Sequence, residues 1–184
     1  MRKLIYPFNL TLDGCSEHNK QFVDTELLDY YTQGLETADT FVYGRKTYQL
    51  MVPYWPDVLK NPSESKADTD FARAFVSKKK VVFSRTLASV EDADTRIVHG
   101  DLRDEILKLK QEPGKDIFAG GVDIPSQLVE LGLIDEFRFV IGPMIAGQGR
   151  RLFDNASLPV RLRLTLIDTK VLTSGCVALR YAKQ

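Results

Sequence analysis

The chain has 184 residues, enough to bury a substantial core without disulfides or metals. Its 25 basic and 25 acidic side chains cancel, so no bulk field draws it to nucleic acid or membrane, and any phosphate must be recognised by local placement of charge. Hydrophobic residues at 43% and charged residues at 27% lie in the ordinary globular range, and no apolar run is long enough to span a bilayer.

Residues 2–12 read as a first strand, turned by Asp13-Gly14. Its apolar start, Leu4-Ile5-Tyr6, is broken by Pro7 and Asn9 and is too short for a signal-peptide core. The expected location is therefore cytoplasmic, with Cys15 and Cys176 as free thiols. Residues 25–36 put Leu27, Leu28, Tyr31 and Leu35 on one helical face, with Asp24 or Thr25 as the cap. A strand at 39–43 follows, then a short helix from about Lys46 to Met51. Pro53, Pro56 and Pro62 make the stretch to Lys66 an ordered loop anchored by Trp55, with a short helix near 68–76.

Lys80–Ser84 and Ile97-Val98-His99 are the next strands, and Leu102–Lys110 is an amphipathic helix ended by Pro113-Gly114. Asp116–Ala119 is a strand meeting Gly120-Gly121, and the helix after it carries Pro125 in its first turn and stops at Gly132. Phe137–Ile141 is a strand, and two longer ones at 161–172 and 176–182 turn at Ser174-Gly175. Leu162, Leu164 and Leu166 alternate with Arg161, Arg163 and Thr165, as expected of an antiparallel ribbon with one wet face. Short strands alternating with helices before a terminal hairpin predict one α/β domain over 1–184 with a mainly parallel sheet.

Three predicted strand ends suit anions. Gly44-Arg45-Lys46-Thr47-Tyr48 sets a glycine, a cation and a hydroxyl at a helix N-terminus, where backbone amides and the helix dipole favour negative charge. Ser84-Arg85 places a hydroxyl and a guanidinium at the sheet edge, and arginine's planar fork suits a phosphate monoester. Gly120-Gly121, with the amides from Val122 onward, would let a pyrophosphate approach the backbone. In open α/β sheets ligands bind outside the carboxyl ends of the strands, so these turns predict a nucleotide cofactor lying across the sheet. Arg45, Thr47, Ser84 and Arg85 together could hold the 2′-phosphate that separates NADPH from NADH.

Gly147-Gln148-Gly149-Arg150-Arg151 lacks the third glycine of a dinucleotide fingerprint and reads as a basic loop near the cofactor or substrate mouth. His18 and His99 have no metal-ligand spacing with the cysteines, and no Gly-x-Ser-x-Gly elbow supports a serine hydrolase.

In this order the pieces resemble the dihydrofolate reductase superfamily, nearest to the C-terminal reductase domain of bacterial riboflavin biosynthesis and its stand-alone relatives. The matching stretches are Leu12-Asp13-Gly14, Gly44-Arg45-Lys46-Thr47-Tyr48, Ser84-Arg85, Gly120-Gly121 and Leu131-Gly132-Leu133-Ile134-Asp135-Glu136-Phe137. Ile141-Gly142-Pro143 through Gly147-Gln148-Gly149 and Leu152-Phe153 completes the match over essentially the whole chain. The resemblance implies a dihydrofolate reductase-like fold and NADPH held by Gly44, Arg45, Thr47, Ser84, Arg85, Gly120, Gly121 and Val122. It also implies that Leu12, Asp13 and Gly14 border the site of hydride transfer. Asp13 is then the candidate for a substrate-anchoring or proton-relaying group, against the plainer reading of an Asp-Gly turn residue. Family members often pair as homodimers, and the resemblance carries that implication too.

Two positions depart from the family pattern. The acid that dihydrofolate reductases carry on the first helix falls here at Leu28, with Asp29 one residue off. The glutamate that riboflavin-pathway enzymes usually carry before the paired glycines is Ala119. The expected activity is thus an NADPH-dependent reduction of a small heterocyclic substrate, resembling the riboflavin-pathway reduction of the ribosylaminopyrimidine. Dihydrofolate reduction and non-catalytic NADPH binding are the alternatives.

Overall fold

A computed structural model describes residues 1–16, 23–61, 65–154, 157 and 161–184. Eight strands form one sheet, in the order β4-β3-β2-β5-β1-β6-β8-β7. They are β1 (Leu4–Thr11), β2 (Ala38–Gly44), β3 (Lys79–Phe83), β4 (Thr95–Val98), β5 (Asp116–Ala119), β6 (Glu136–Gly142), β7 (Leu164–Val171) and β8 (Val177–Lys183). The strands from β4 through β6 pair in parallel, and β8 returns antiparallel between β6 and β7. This is the mainly parallel sheet with a C-terminal hairpin that the alternating pattern predicts.

Helices cover both faces. On one side α1 (Thr25–Leu35), α2 (Arg45–Lys60) and α3 (Lys66–Val76) bury Leu28, Leu35, Tyr48, Val52, Phe71 and Phe75 against Ile5, Phe41, Tyr43 and Phe118. On the other side α4 (Leu102–Gln111) and α5 (Asp123–Glu130) bury Ile106, Leu109, Leu128 and Val129 against Leu4, Tyr6, Val42 and Phe137. The opposite pointing of successive strand residues divides the core in this way: Ile5 goes with the first set, Leu4 and Tyr6 with the second.

Two expectations are corrected. The predicted short helix and the first part of the predicted proline loop are one helix, α2, with Pro53 and Pro56 inside it, while Pro62 lies outside the described residues. Each proline forgoes a bond to the carbonyl four residues back, a penalty of about 3 kcal/mol in a helix interior. Tertiary packing overrides it. Pro53 is exposed, whereas Val52 and Val58 are buried and Trp55 lies 4.4 Å from Phe71, centroid to centroid. Trp55 is thus an anchor, but of a helix. The other correction concerns β7. The leucine alternation breaks at a bulge between Leu166 and Asp168, and Leu166, Ile167 and Val171 are exposed, so the strand is an open edge rather than a ribbon with one dry face.

Opposite the strand ends of interest, the Asp135-Glu136 pair of the family-like stretch fastens the N-terminal edge of the sheet. Asp135 accepts bonds from the Leu4 amide (2.7 Å) and Lys110 Nζ (2.6 Å). Glu136, 2% exposed, accepts from Arg138 Nε (2.7 Å) and Arg180 Nη2 (3.0 Å). Burial opposes ionisation of Glu136, yet the hydrogen bonds and charges of the two arginines prevail and hold its carboxyl below the ordinary carboxylate range.

Candidate functional site

Parallel pairing brings the three predicted anion turns together. Gly44 pairs with Phe83, the Ser84 amide donates to Val98 O, and the Gly120 amide donates to Val42 O (2.9 Å). The turns at 84, 44 and 120 therefore leave neighbouring strands β3, β2 and β5, about 4.8 Å apart per step. The turn after β1, at 12–14, lies next in the row.

Local chemistry explains why these turns stay open. Helices α1, α3 and α4 are capped by Asp24, Ser65 and Asp101, whose side chains accept from first-turn amides. Helices α2 and α5, which start at the row of turns, have Gly44 and Val122 as N-caps and no side-chain cap bond. Their first-turn N–H groups, of which Pro125 in α5 contributes none, have no side-chain cap and could meet an anion. Between them Gly121 has φ +88°, and a Cβ there would overlap Thr47 Oγ1; one at Gly120 would overlap the Tyr43 ring. These glycines let the start of α2 close directly onto the turn after β5. Gly44 itself is extended (φ −80°), so its backbone does not demand glycine.

Arg45 and Arg85 are exposed, and Arg45 donates to Gln49 Oε1 (3.3 Å) on its own helix. Ser84 Oγ accepts from the amides of Thr86 (3.2 Å) and Leu87 (3.0 Å), which shapes the turn and leaves its proton available to a ligand. Two groups that sequence reasoning passed over support these turns. His99 Nδ1 lies 2.6 Å from Ser84 O, and the buried Tyr6 hydroxyl donates to Gly121 O (2.9 Å), with burial raising its pKa far above the ordinary phenol value. Neither carries a motif; only strand adjacency reveals them.

Asp13 is engaged in hydrogen bonds to its own turn and to a distant loop. Its carboxylate accepts from Thr11 Oγ1 (2.6 Å) and from the amides of Ala146 (3.1 Å) and Gly147 (3.0 Å). The Thr11 hydrogen bond, followed by the Ala146 amide, holds its carboxyl far below the usual range. A carboxylate this acidic is a poor proton donor, which favours the turn reading over the relay reading. Leu12 donates its amide to Met144 O, and Gly14 O accepts from Leu152, so the 12–14 turn and the 144–152 loop hold one another. Arg150, from that loop, pairs with Asp123 at the start of α5.

Asp13→Ala should release this clasp. Amide hydrogen exchange at Ala146 and Gly147 is expected to be faster in the variant than in the wild type at the same pH. Unchanged protection in Asp13→Ala would show that the loop is held by other contacts.

A groove of about 1110 Å³ runs from Thr47, Gly120 and Gly121 between α1 and α2. Leu28 and Tyr31 stand on one wall, Leu50, Met51 and Tyr54 on the other. Leu28 is buried and Asp29 exposed, so the first helix presents no acid at the position a dihydrofolate reductase would use. Ala119 is fully buried in the core cluster of the opposite face. Residues 17–22, including His18, lie outside the described residues.

An α/β sheet with a row of open strand ends above an apolar groove is the form of the dihydrofolate reductase-like reductases. The profile of the RibD C-terminal domain matches residues 2–178, and the chain belongs to that family. It is 33% identical to the uncharacterized protein YyaP of Bacillus subtilis (strain 168), over 98% of this chain and 94% of that protein. Among solved structures, a protein from Shewanella sp. PV-4 provisionally assigned to riboflavin biosynthesis superposes with TM-score 0.71 at 22% identity, covering 99% of each chain. A diaminohydroxyphosphoribosylaminopyrimidine deaminase/5-amino-6-(5-phosphoribosylamino)uracil reductase from Thermotoga maritima gives TM-score 0.69 at 14% identity, covering all of this chain and 57% of that one. These likenesses establish the fold.

Proposed function

We propose that the protein is an NADPH-dependent reductase of a small heterocyclic or carbonyl compound. The observation that carries this reading is the pair of uncapped helix N-termini, α2 and α5, opening on adjacent strand ends while the remaining helices of the fold are capped. Among the described residues, α4, the other helix on the face of α5, is capped by Asp101.

The residues present suit the cofactor. First-turn amides of α2 and α5 and the Thr47 hydroxyl would bind the pyrophosphate; Arg45, Ser84 and Arg85 would bind the 2′-phosphate; the 12–14 turn would border the nicotinamide. When bound, the reduced nicotinamide supplies the hydride. The protein's part is to orient the two reactants, exclude water from the groove and keep the loop at 144–152 closed through Asp13. Family membership and the likeness to a uracil reductase support a riboflavin-type reduction. The buried Leu28 at the first-helix position weighs against dihydrofolate.

Titrating the protein into NADPH and following nicotinamide fluorescence tests the reading, with saturation expected in the micromolar range. No binding by millimolar cofactor, about −4 kcal/mol, would end it. Arg85→Ala should weaken NADPH by about 1.5–3 kcal/mol, the contribution of a hydrogen bond to a charged group, or ~10–100-fold. NADH affinity should stay as it was. Equal losses for both cofactors would remove Arg85 from the 2′-phosphate.

A further inference from the structure

We propose that the groove selects an uncharged planar ring bearing a conjugated carbonyl and does not recognise a substrate phosphate. This inference rests on the reductase reading for its chemistry; its geometry concerns the part of the groove between α1 and α2, beyond Thr47, Gly120 and Gly121.

The walls are apolar where they are wet. Leu50 and Tyr54, one turn apart on α2, are 56% and 43% exposed, and Val23 across the groove is 39% exposed. Side chains of this kind left in water at a groove mouth gain from covering a flat apolar ligand. Asn9 of β1 and Tyr31 of α1 form a polar pair among lining residues that also include Thr25, Gln33, Thr37 and Ser65. The Tyr31 hydroxyl donates to Asn9 Oδ1, and the Asn9 amide N–H groups take no partner among the described residues. They can donate to a ligand carbonyl. Tyr31 stays neutral, because burial pushes its hydroxyl well above the ordinary phenol value. The pair therefore offers hydrogen bonds without charge.

Charge around the groove is set against a dianion. Among the described lining residues the cations are Arg138 and Arg180, and the carboxylates are Asp24, Asp68 and Asp168, two positive charges against three negative. Both arginines are already committed: Arg138 Nε and Arg180 Nη2 to Glu136, and Arg180 Nη1 within 3.7 Å of Asp168. A phosphate arriving there would displace a carboxylate from its partners and face the remaining acids. A bound reduced nicotinamide would supply the hydride, and with it the two electrons the substrate ring gains; Asn9 would hold the carbonyl oxygen, which takes its proton from water.

Trp55, the only tryptophan in the chain, lines the groove, so its fluorescence reports occupancy with or without cofactor. The test titrates three probes: menadione, and 5-amino-6-ribitylaminouracil with and without its 5′-phosphate. Saturable quenching by menadione and the unphosphorylated pyrimidine is expected, with the phosphate leaving the affinity unchanged or weakening it. Asn9→Leu should weaken menadione at least tenfold, and the conservative Tyr31→Phe should weaken it severalfold with the fold retained by circular dichroism. A phosphorylated pyrimidine bound tenfold or more tighter than its unphosphorylated form overturns the inference. So does the absence of saturable quenching by menadione. Because no cofactor is present, these failures are separate from a failed NADPH titration, which would end the reductase reading alone.

Discussion

Replacing Glu136 with alanine is expected to lower the unfolding free energy by about 3–5 kcal/mol, the range for removing one partner of a buried ion pair. The carboxylate is 2% exposed and receives Arg138 at 2.7 Å and Arg180 at 3.0 Å, with Lys3 Nζ at 3.6 Å. Truncation leaves two guanidinium groups close together without their shared acceptor. Urea unfolding followed by circular dichroism measures the loss, and a cost under about 1 kcal/mol would mean that water replaces the carboxylate there. The same group sets an acid limit. Its folded-state pKa is depressed, so its contribution is complete above the unfolded value of about 4.3 and fades as pH falls through the folded value. The wild type should therefore lose more stability in acid than Glu136→Gln, which is already without the charge. Parallel acid curves for the two proteins would remove Glu136 from the explanation.

Gly121→Ala is expected to damage stability and cofactor binding together. An alanine at φ +88° costs about 1–2 kcal/mol from the left-handed backbone alone, and its Cβ would overlap Thr47 Oγ1. Relief requires moving either the turn after β5 or the first turn of α2, and both carry amides assigned to the pyrophosphate. Gly175→Ala is the control: its φ is +84°, but the nearest atom to its Cβ would be Pro143 Cγ at 3.6 Å, an ordinary contact. Thermal unfolding should fall further for Gly121→Ala than for Gly175→Ala, and only the former should lose NADPH affinity, by more than tenfold. Adding Thr47→Ala to Gly121→Ala should recover the part of the loss due to overlap and leave the backbone part. Equal effects of the two glycine replacements would show that the contact between α2 and the turn after β5 does not matter.

Short-range chemistry was legible in the sequence. Asp24 caps α1, Asp116–Ala119 is β5 to the residue, and Gly120-Gly121 does turn where a strand meets a helix. Each follows from groups within a few residues: a carboxylate facing free amides, a β-branched or aromatic run, a backbone angle that only glycine adopts readily. The turns at 44, 84 and 120 were legible as strand ends for the same reason, since each follows directly on a short apolar run.

Other features depend on residues distant in sequence, and tertiary structure alone decided them. α2 runs through Pro53 and Pro56 because Val52 and Val58 are buried and Trp55 packs on Phe71 from α3. Asp13 became a clasp because Ala146 and Gly147, more than 130 positions away, bring their amides to it. Tyr6, His99 and the Asn9–Tyr31 pair gain a place at the site only through strand order and helix packing. The sequence by itself determined most of the elements and the places where strands end in turns, because those depend on local backbone geometry and on which donors stand next to it. The folded chain decided which turns are neighbours, which helix survives its prolines and which side chains meet across the groove, because burial and pairing join groups that local chemistry cannot connect.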